Sequence, residues 1–310
     1  MTKTTILTHP DCLKHITPTG HPERVERLEA INSVLNQKEF TDLNRQEAEL
    51  CTLEQLMLAH PLDYIKNIES RVPTTGFVSI DGDTHMSPKS WDAACRAVGA
   101  NIQAVDMVLN DQSNNAFCAV RPPGHHAEKN RAMGFCLYGS VAIAALHALN
   151  HHGLARVAII DFDVHHGNGT SNLLWDERRI FFASTHEMPL FPGTGHVSET
   201  GRHNQIVNKP LKSGSGSNEF KDAINQILDR MDQFAPELVL ISAGFDAHYD
   251  DPLSTLQLTP EDFKWVTEAI VNLAETHCHG KIVSSLEGGY NLAGLTSSLI
   301  EHLNVLRGVT

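Results

Sequence analysis

The chain has 310 residues with 24 Lys+Arg against 37 Asp+Glu, a formal net charge of −13, which argues against a nucleic-acid scaffold. With 41% apolar and 20% charged residues it has ample material for a core and is neither disordered nor fibrous. No stretch approaches the roughly 18–20 apolar residues of a membrane span, and residues 1–10 lack the apolar segment of a signal peptide, so a soluble, cytoplasmic protein is expected.

The first predicted element is a helix begun by Ser87-Pro88, with a hydroxyl cap and a proline in its first turn. It runs through Ala93, Ala97, Ile102 and Val105 to about Leu109. A buried strand follows at 116–120 (AFCAV), a helix at 140–151, and strands at 156–160 (RVAII) and 179–183 (RIFFA). The tract 213–217 (SGSGS) reads as a short loop before a helix over 217–234. A strand at 237–241 (ELVLI), a helix from Thr259-Pro260 to His277, a strand at 281–285 (KIVSS) and a helix over 291–305 complete the series. This alternation predicts a parallel sheet with helices on both faces, with no domain boundary between residues 1 and 310.

Each predicted strand is followed at its carboxyl end by unusual chemistry: Arg121-Pro-Pro-Gly-His125-His126, Asp161-Phe-Asp163-Val-His165-His166-Gly-Asn168, Ser184-Thr185, Ser242-Ala-Gly-Phe-Asp246 and Leu286-Glu-Gly-Gly-Tyr290. Open parallel sheets bind ligands outside the carboxyl ends of their strands, so the five segments are expected to share one site. Histidine points the same way: 19 residues are about 6% of the chain, against ordinary usage on the order of 2%. The six cysteines are scattered without a CxxC pair, so they are expected to be reduced and buried rather than disulfide-forming or zinc-binding.

Carboxylates and imidazoles without thiolate suit a borderline divalent metal. Asp163 and His165, at i and i+2 of extended chain, point the same way, and Asp246 can supply a third ligand. His125 and His126, after a proline-stiffened turn, suit proton transfer near neutral pH. Asp161 and Asn168 can orient imidazoles, and Tyr290 can donate to a developing oxyanion. The pairs His151-His152 and His277-Cys278-His279 sit at helix ends before glycine, where imidazolium complements the helix dipole, and are expected to do no more than that. There is no GxxxxGK[ST], GxGxxG or GxSxG, and Leu190 stands where HExxH would need its second histidine after His186-Glu187, which removes support for nucleotide enzymes, serine hydrolases and zincins.

Taken in order, HPER (21–24), RPPGHHAE (121–128), GFC (134–136), DFDVHHGNG (161–169), FPGTG (191–195), SAGFDAHYDDPL (242–253) and LEGGYNL (286–292) resemble the zinc-dependent histone deacetylase superfamily. Asn168, HPER and the LEGGYN wording resemble its class II enzymes and their bacterial deacetylase-like and acetylpolyamine amidohydrolase relatives. The resemblance implies the arginase/deacetylase α/β fold, a single domain around a mainly parallel eight-stranded sheet. It further implies one zinc ion held by Asp163, His165 and Asp246, with His126 as general base and then acid, His125 as its electrostatic partner and Tyr290 at the oxyanion.

In the same family likeness Phe135, with Gly134 beside it, and Phe191 match the walls of an acetyl-lysine tunnel. Gly289 matches its floor region, and Asp83 a position that holds the substrate backbone. A structural potassium ion is implied near Asp161, Asp163, His165, Ser184 and Thr185, mainly through main-chain oxygens. Leu253 stands where a polyamine-selective relative has an acidic gatekeeper, which favours acetyl-lysine in peptides or proteins over acetylated polyamines as substrate. An arginase-type two-metal centre would want Asp-x-His-x-Asp, but Gly167 occupies the fifth position. A non-catalytic acetyl-lysine-binding module is the alternative outside enzymes.

Overall fold

Five strands are buried at every residue, as strands sandwiched between helix layers require, and they are the five that the apolar runs predict. In the computed structural model, which describes residues 4–309, they belong to a larger set. The strands are β1 (Thr5–Thr8), β2 (Asn44–Glu47), β3 (Val78–Ser79), β4 (His85–Met86), β5 (Asn115–Cys118), β6 (Val157–Asp161), β7 (Ile180–Glu187), β8 (Ile206–Leu211), β9 (Leu238–Ala243) and β10 (Ile282–Leu286). The helices are α1 (Val25–Leu35), α2 (Leu53–Leu56), α3 (Leu62–Ser70), α4 (Ser90–Leu109), α5 (Ser140–His151), α6 (Asn168–Leu173), α7 (Ser217–Phe234), α8 (Pro260–Cys278) and α9 (Leu292–Leu306). The expectation about a leader falls partly outside the described residues, since residues 1–3 are not among them.

Eight strands form one sheet in the order β2-β1-β5-β10-β9-β6-β7-β8, every pair parallel, while β3 and β4 make a separate antiparallel hairpin. Helices α4 and α5 pack on each other and on central strands; α1, α9, α8 and α7 pack in succession as the second layer. This is the expected α/β fold with its eight-stranded sheet. No helix among the described residues is long and apolar enough to cross a membrane. The six cysteines are free, five of them buried and Cys51 half-buried.

Two sequence expectations need correction. The helix placed at Ser87-Pro88 begins at Ser90, with Lys89 as its N-cap and no side-chain cap. Ser87 does not cap because its hydroxyl accepts from Ile16 N at 3.0 Å, while its own N–H donates to Ser90 Oγ at 2.7 Å. The strand at 179–183 extends to Glu187, so Ser184 and Thr185 lie inside β7 rather than beyond it. By contrast α8 has the predicted Pro260 in its first turn, and Thr259 and Asp262 close a capping box around it.

Candidate metal centre and active site

The site lies where β5, β10, β9 and β6, consecutive in the sheet, end. Asp161 closes β6, and the following chain turns because carboxylates capture its backbone: Asp163 N donates to Asp161 Oδ1 at 3.1 Å and His165 N to Asp163 Oδ1 at 2.9 Å. From beyond β9, Asp246 reaches back to accept from Val164 N at 2.9 Å, and Gly288 N, after β10, donates to Asp163 Oδ2 at 2.7 Å. Three strand ends are thereby locked together. His165 Nδ1 stands 3.1 Å from Asp163 Oδ1 and 3.1 Å from Asp246 Oδ2, and one donor atom from each of the three buried residues lies within 4.8 Å of the others.

The residues fit a divalent cation. Burial opposes charge on His165, yet the carboxylates of Asp163 and Asp246 outweigh it and raise the imidazole to about 10, while burial lifts Asp246 to about 7. The cluster demands positive charge. Two carboxylates and an imidazole, with no thiolate, form the ligand set of a borderline ion such as zinc, with a position left on the cavity side. Gly288 fits against them where no larger residue could: a Cβ there would stand 2.1 Å from Asp246 Oδ2 and 2.5 Å from Asp163 Oδ2. A Cβ at Gly167 would stand 2.2 Å from Asp161 Oδ2, leaving no room for the aspartate of a two-metal centre.

The tandem histidines descend from β5 on a turn tied to the floor by Glu287, whose Oε2 accepts from Gly124 N at 2.7 Å and His125 N at 3.1 Å. Their rings are 3.9 Å apart. His125 Nδ1 donates to Asp161 Oδ2 at 3.0 Å, and His126 Nδ1 to Asn168 Oδ1 at 2.7 Å. Asn168 must accept there because its Nδ2 donates to Glu128 Oε1 at 2.7 Å. The network thus puts the proton of each ring on Nδ1 and leaves His126 Nε2 free to accept. Burial opposes charge on both, but Asp163 and Asp161 overcome it and raise His125 well above the ordinary imidazole range. His126, buried beside His125 and His165, falls well below it.

Tyr290 is held from three sides. Asp251 Oδ2 accepts its N–H at 2.7 Å, the Arg27 guanidinium stacks 4.9 Å from its ring, and Phe135 meets it edge-on at 5.8 Å. Burial pushes its phenol well above the usual range, so it remains a neutral donor. A cavity of about 250 Å³ is lined by Asp83, His126, Gly134, Phe135, His165, Leu190, Phe191, Leu253 and Tyr290. Phe191 sits edge-on to His126 at 5.1 Å.

The other predicted site residues lie behind this surface. Asp161, Asp163, Asp246, His125 and Asn168 lie beneath the lining. Gly289 is behind Tyr290 rather than on the cavity wall, its carbonyl accepting from Arg27 Nε at 2.6 Å. Ser184 pairs in register with Asp161, and its hydroxyl is 3.0 Å from His186 Nδ1; Thr185 is buried next to it. Asp83 is pushed up by burial and the neighbouring Asp81, and its carbonyl is 2.9 Å from His21 Nε2.

A buried ionic frame escaped the sequence argument. Arg121 donates to Glu23 through Nε, and through Nη2 to Oε2 at 2.7 Å; Arg27 Nη1 donates to Glu23 Oε1 at 3.3 Å and its Nη2 to the Glu287 carbonyl at 2.5 Å. Glu23, Arg27, Arg121 and Glu287 therefore join the histidine turn to the Tyr290 loop. The available signal was charge inside the otherwise turn-forming motifs HPER, RPPG and LEGG, but one-dimensional spacing does not pair Glu23 with Arg121.

The sequence profile of the histone deacetylase domain matches residues 21–306. Histone deacetylase 10, chloroplastic, of Oryza sativa subsp. japonica is 38% identical over 93% of this chain and 70% of its own. A probable deacetylase of Archaeoglobus fulgidus is 37% identical over 94% of this chain and 82% of its own. The crystal structure of the HDA15 HD domain superposes with a TM-score of 0.93 at 31% identity, covering 100% of this chain and 90% of that one.

Proposed function

The chain belongs to the histone deacetylase family, and from that premise we propose that it is a zinc-dependent amidohydrolase that removes acetyl groups from the ε-amine of lysine in peptides or proteins. The observation that carries this proposal is that His126, His165 and Tyr290, three groups with different chemical capacities, line one apolar-walled cavity directly above the Asp163–His165–Asp246 cluster.

Those three residues would hold one zinc ion, which supplies Lewis-acid polarisation of the acyl carbonyl and acidifies water. The chain's own groups do the rest. Phe135, Phe191, Leu190 and Leu253 take the lysine methylenes and exclude solvent. His126, with Nε2 unprotonated, removes a proton from the attacking water as the C–O bond forms, then returns it to the amine as the C–N bond breaks. His125 stays cationic against Asp161 and steadies the negative charge that develops nearby. Tyr290 donates its hydroxyl proton in a hydrogen bond to the oxyanion.

Asp161 and Asn168 hold the two imidazoles in tautomer and direction. Asp83, at the rim, is the group available to the substrate backbone, and Gly289 supports Tyr290 from behind. Main-chain oxygens of Asp161, Asp163 and His165, with Ser184 and Thr185, would form the potassium site.

Acetyl-lysine is favoured over acetylated polyamine because Leu253 presents an apolar face to the cavity. Asp251 is no attraction for a second amine: its Oδ2 accepts from Tyr290 N and Asn291 N, and its Oδ1 from Leu253 N at 3.0 Å. The test is to compare kcat/KM of zinc-loaded protein on acetyl-lysine peptides and on acetylated polyamines. Faster peptide hydrolysis is expected. Faster polyamine hydrolysis overturns the substrate, and a zinc-loaded protein that turns over neither is a binding module.

A further inference from the structure

Four polar side chains gather at the far end of α5, away from the cavity. Asp106, in the last turn of α4, holds Oδ1 2.7 Å from His147 Nε2 and 2.6 Å from His152 Nε2. His147 and His151, four apart on α5, stack at 4.8 Å with planes 13° apart, and His152, the residue that ends the helix, meets their rings edge-on at 5.5 and 5.0 Å. One donor atom from each of the four lies within 4.8 Å of all the others.

We propose that Asp106, His147, His151 and His152 form a second metal site, a four-coordinate N₃O centre for a borderline divalent transition ion such as zinc, nickel or cobalt. Three imidazoles and one carboxylate are the donors such ions take. The i, i+4 spacing places two of the imidazoles on one face of a helix.

A tetrahedral ion with ligands at about 2.0–2.1 Å spaces them about 3.4 Å apart. The present 2.6 and 2.7 Å contacts need open only by about 0.7 Å as an ion takes the place of the N–H protons. The side chain of Asp106 is 38% exposed and His151 is exposed, so the ion enters from water without unfolding anything. Helix α5 starts at Ser140, against the histidine turn, and its 12 residues span about 18 Å. The second ion therefore clamps α4 to α5 and takes no part in the chemistry.

Equilibrium dialysis of the full chain against zinc, followed by metal analysis, tests this. Two equivalents are expected for the wild type, one for His151→Ala and one for Asp246→Ala, with none for the double variant. Should Asp246→Ala fail to fold, Asp246→Asn takes its place. Cobalt in the Asp246 variant should give the visible bands of a tetrahedral ion, lost with His151→Ala. A count that His151→Ala does not change, or an Asp246 variant that retains no ion, overturns the second site. Loss of the cavity ion is read separately in the Asp246 variants.

Discussion

Two clusters in this molecule offer nearly the same donors and differ in what holds them. Around Asp163, His165 and Asp246 the carboxylate oxygens are fixed by backbone N–H groups beyond β6 and β10, and every donor is buried. Around Asp106 only side chains meet, at two helix ends and partly in water. The first is pre-organised, so an ion bound there costs little reorganisation and meets little competing water. The second must rearrange and compete with solvent. Donor identity selects the class of ion, whereas backbone support and burial decide whether the ion can do chemistry.

The sharpest way to break that comparison is to delete one ligand on the supported side. Asp246→Ala should abolish binding at the cavity and lower kcat/KM on the order of 10³-fold or more, since the ion supplies several kcal/mol of transition-state stabilisation. His151→Ala should leave kcat/KM within about twofold, because His151 does not line the cavity and the second ion takes no part in the chemistry. Similar losses in both variants, read by kinetics beside metal content, would erase the distinction. Next, Tyr290→Phe should keep the cavity ion and lose about 10²–10³ in kcat, as removal of one oxyanion donor does. Wild-type turnover in that variant removes Tyr290 from the mechanism.

Support can also be weakened without touching a donor. Asn168→Ala removes the acceptor of His126 Nδ1, so the ring loses its tautomer and aim. A fall of about 10–100-fold in kcat is expected, with metal content unchanged. Loss of metal instead would mean that Asn168 serves the fold of the 161–169 turn rather than the imidazole.

What the sequence made legible follows the same division. The five predicted strands are β5, β10, β9, β6 and β7, the consecutive middle of the sheet, where burial on both faces leaves continuous apolar runs. The three outer strands were not found: β2 (NRQE) is mostly exposed, and β1 (TILT) is only four residues long. In β8 (IVNKPL) the pattern is broken by Asn208, Lys209 and Pro210. Local spacing named Asp163 and His165 as a pair, although the chain between them is bent and held by Asp163 Oδ1 rather than extended as the spacing argument assumed. It was silent on Glu23–Arg121, 98 residues apart, and on Asp106–His147, because both pairs depend on how layers stack. The His151-His152 pair, expected merely to end a helix, was understood in one dimension until α4 brought Asp106 beside it.

A third environment gives the limit of the comparison: histidine buried with no carboxylate to share its charge. His302 sits among Phe117, Phe162 and Phe245, with Nδ1 2.7 Å from Thr267 Oγ1 and Nε2 2.9 Å from Ser284 Oγ, and burial pushes it down to about 3. His60 is likewise pushed down by burial, to about 4, although carbonyls of Lys129 and Glu128 act against it. Unfolding releases both to an ordinary value near 6.5, so between pH 6.5 and 4 the unfolded chain binds more protons than the folded one. Their contribution is therefore complete above pH 6.5 and lost as the pH falls. The folding equilibrium should weaken about tenfold per histidine for each pH unit below 6.5, roughly 1.4 kcal/mol. Denaturant unfolding at pH 7.0, 6.0 and 5.0 measures it, with His302→Leu as the control. That variant is less stable at pH 7.0 because Ser284 Oγ loses its partner, and its dependence on pH should be shallower by one proton, so the deficit shrinks as the pH falls. An unchanged slope would place the acid sensitivity in the carboxylate clusters instead of the core.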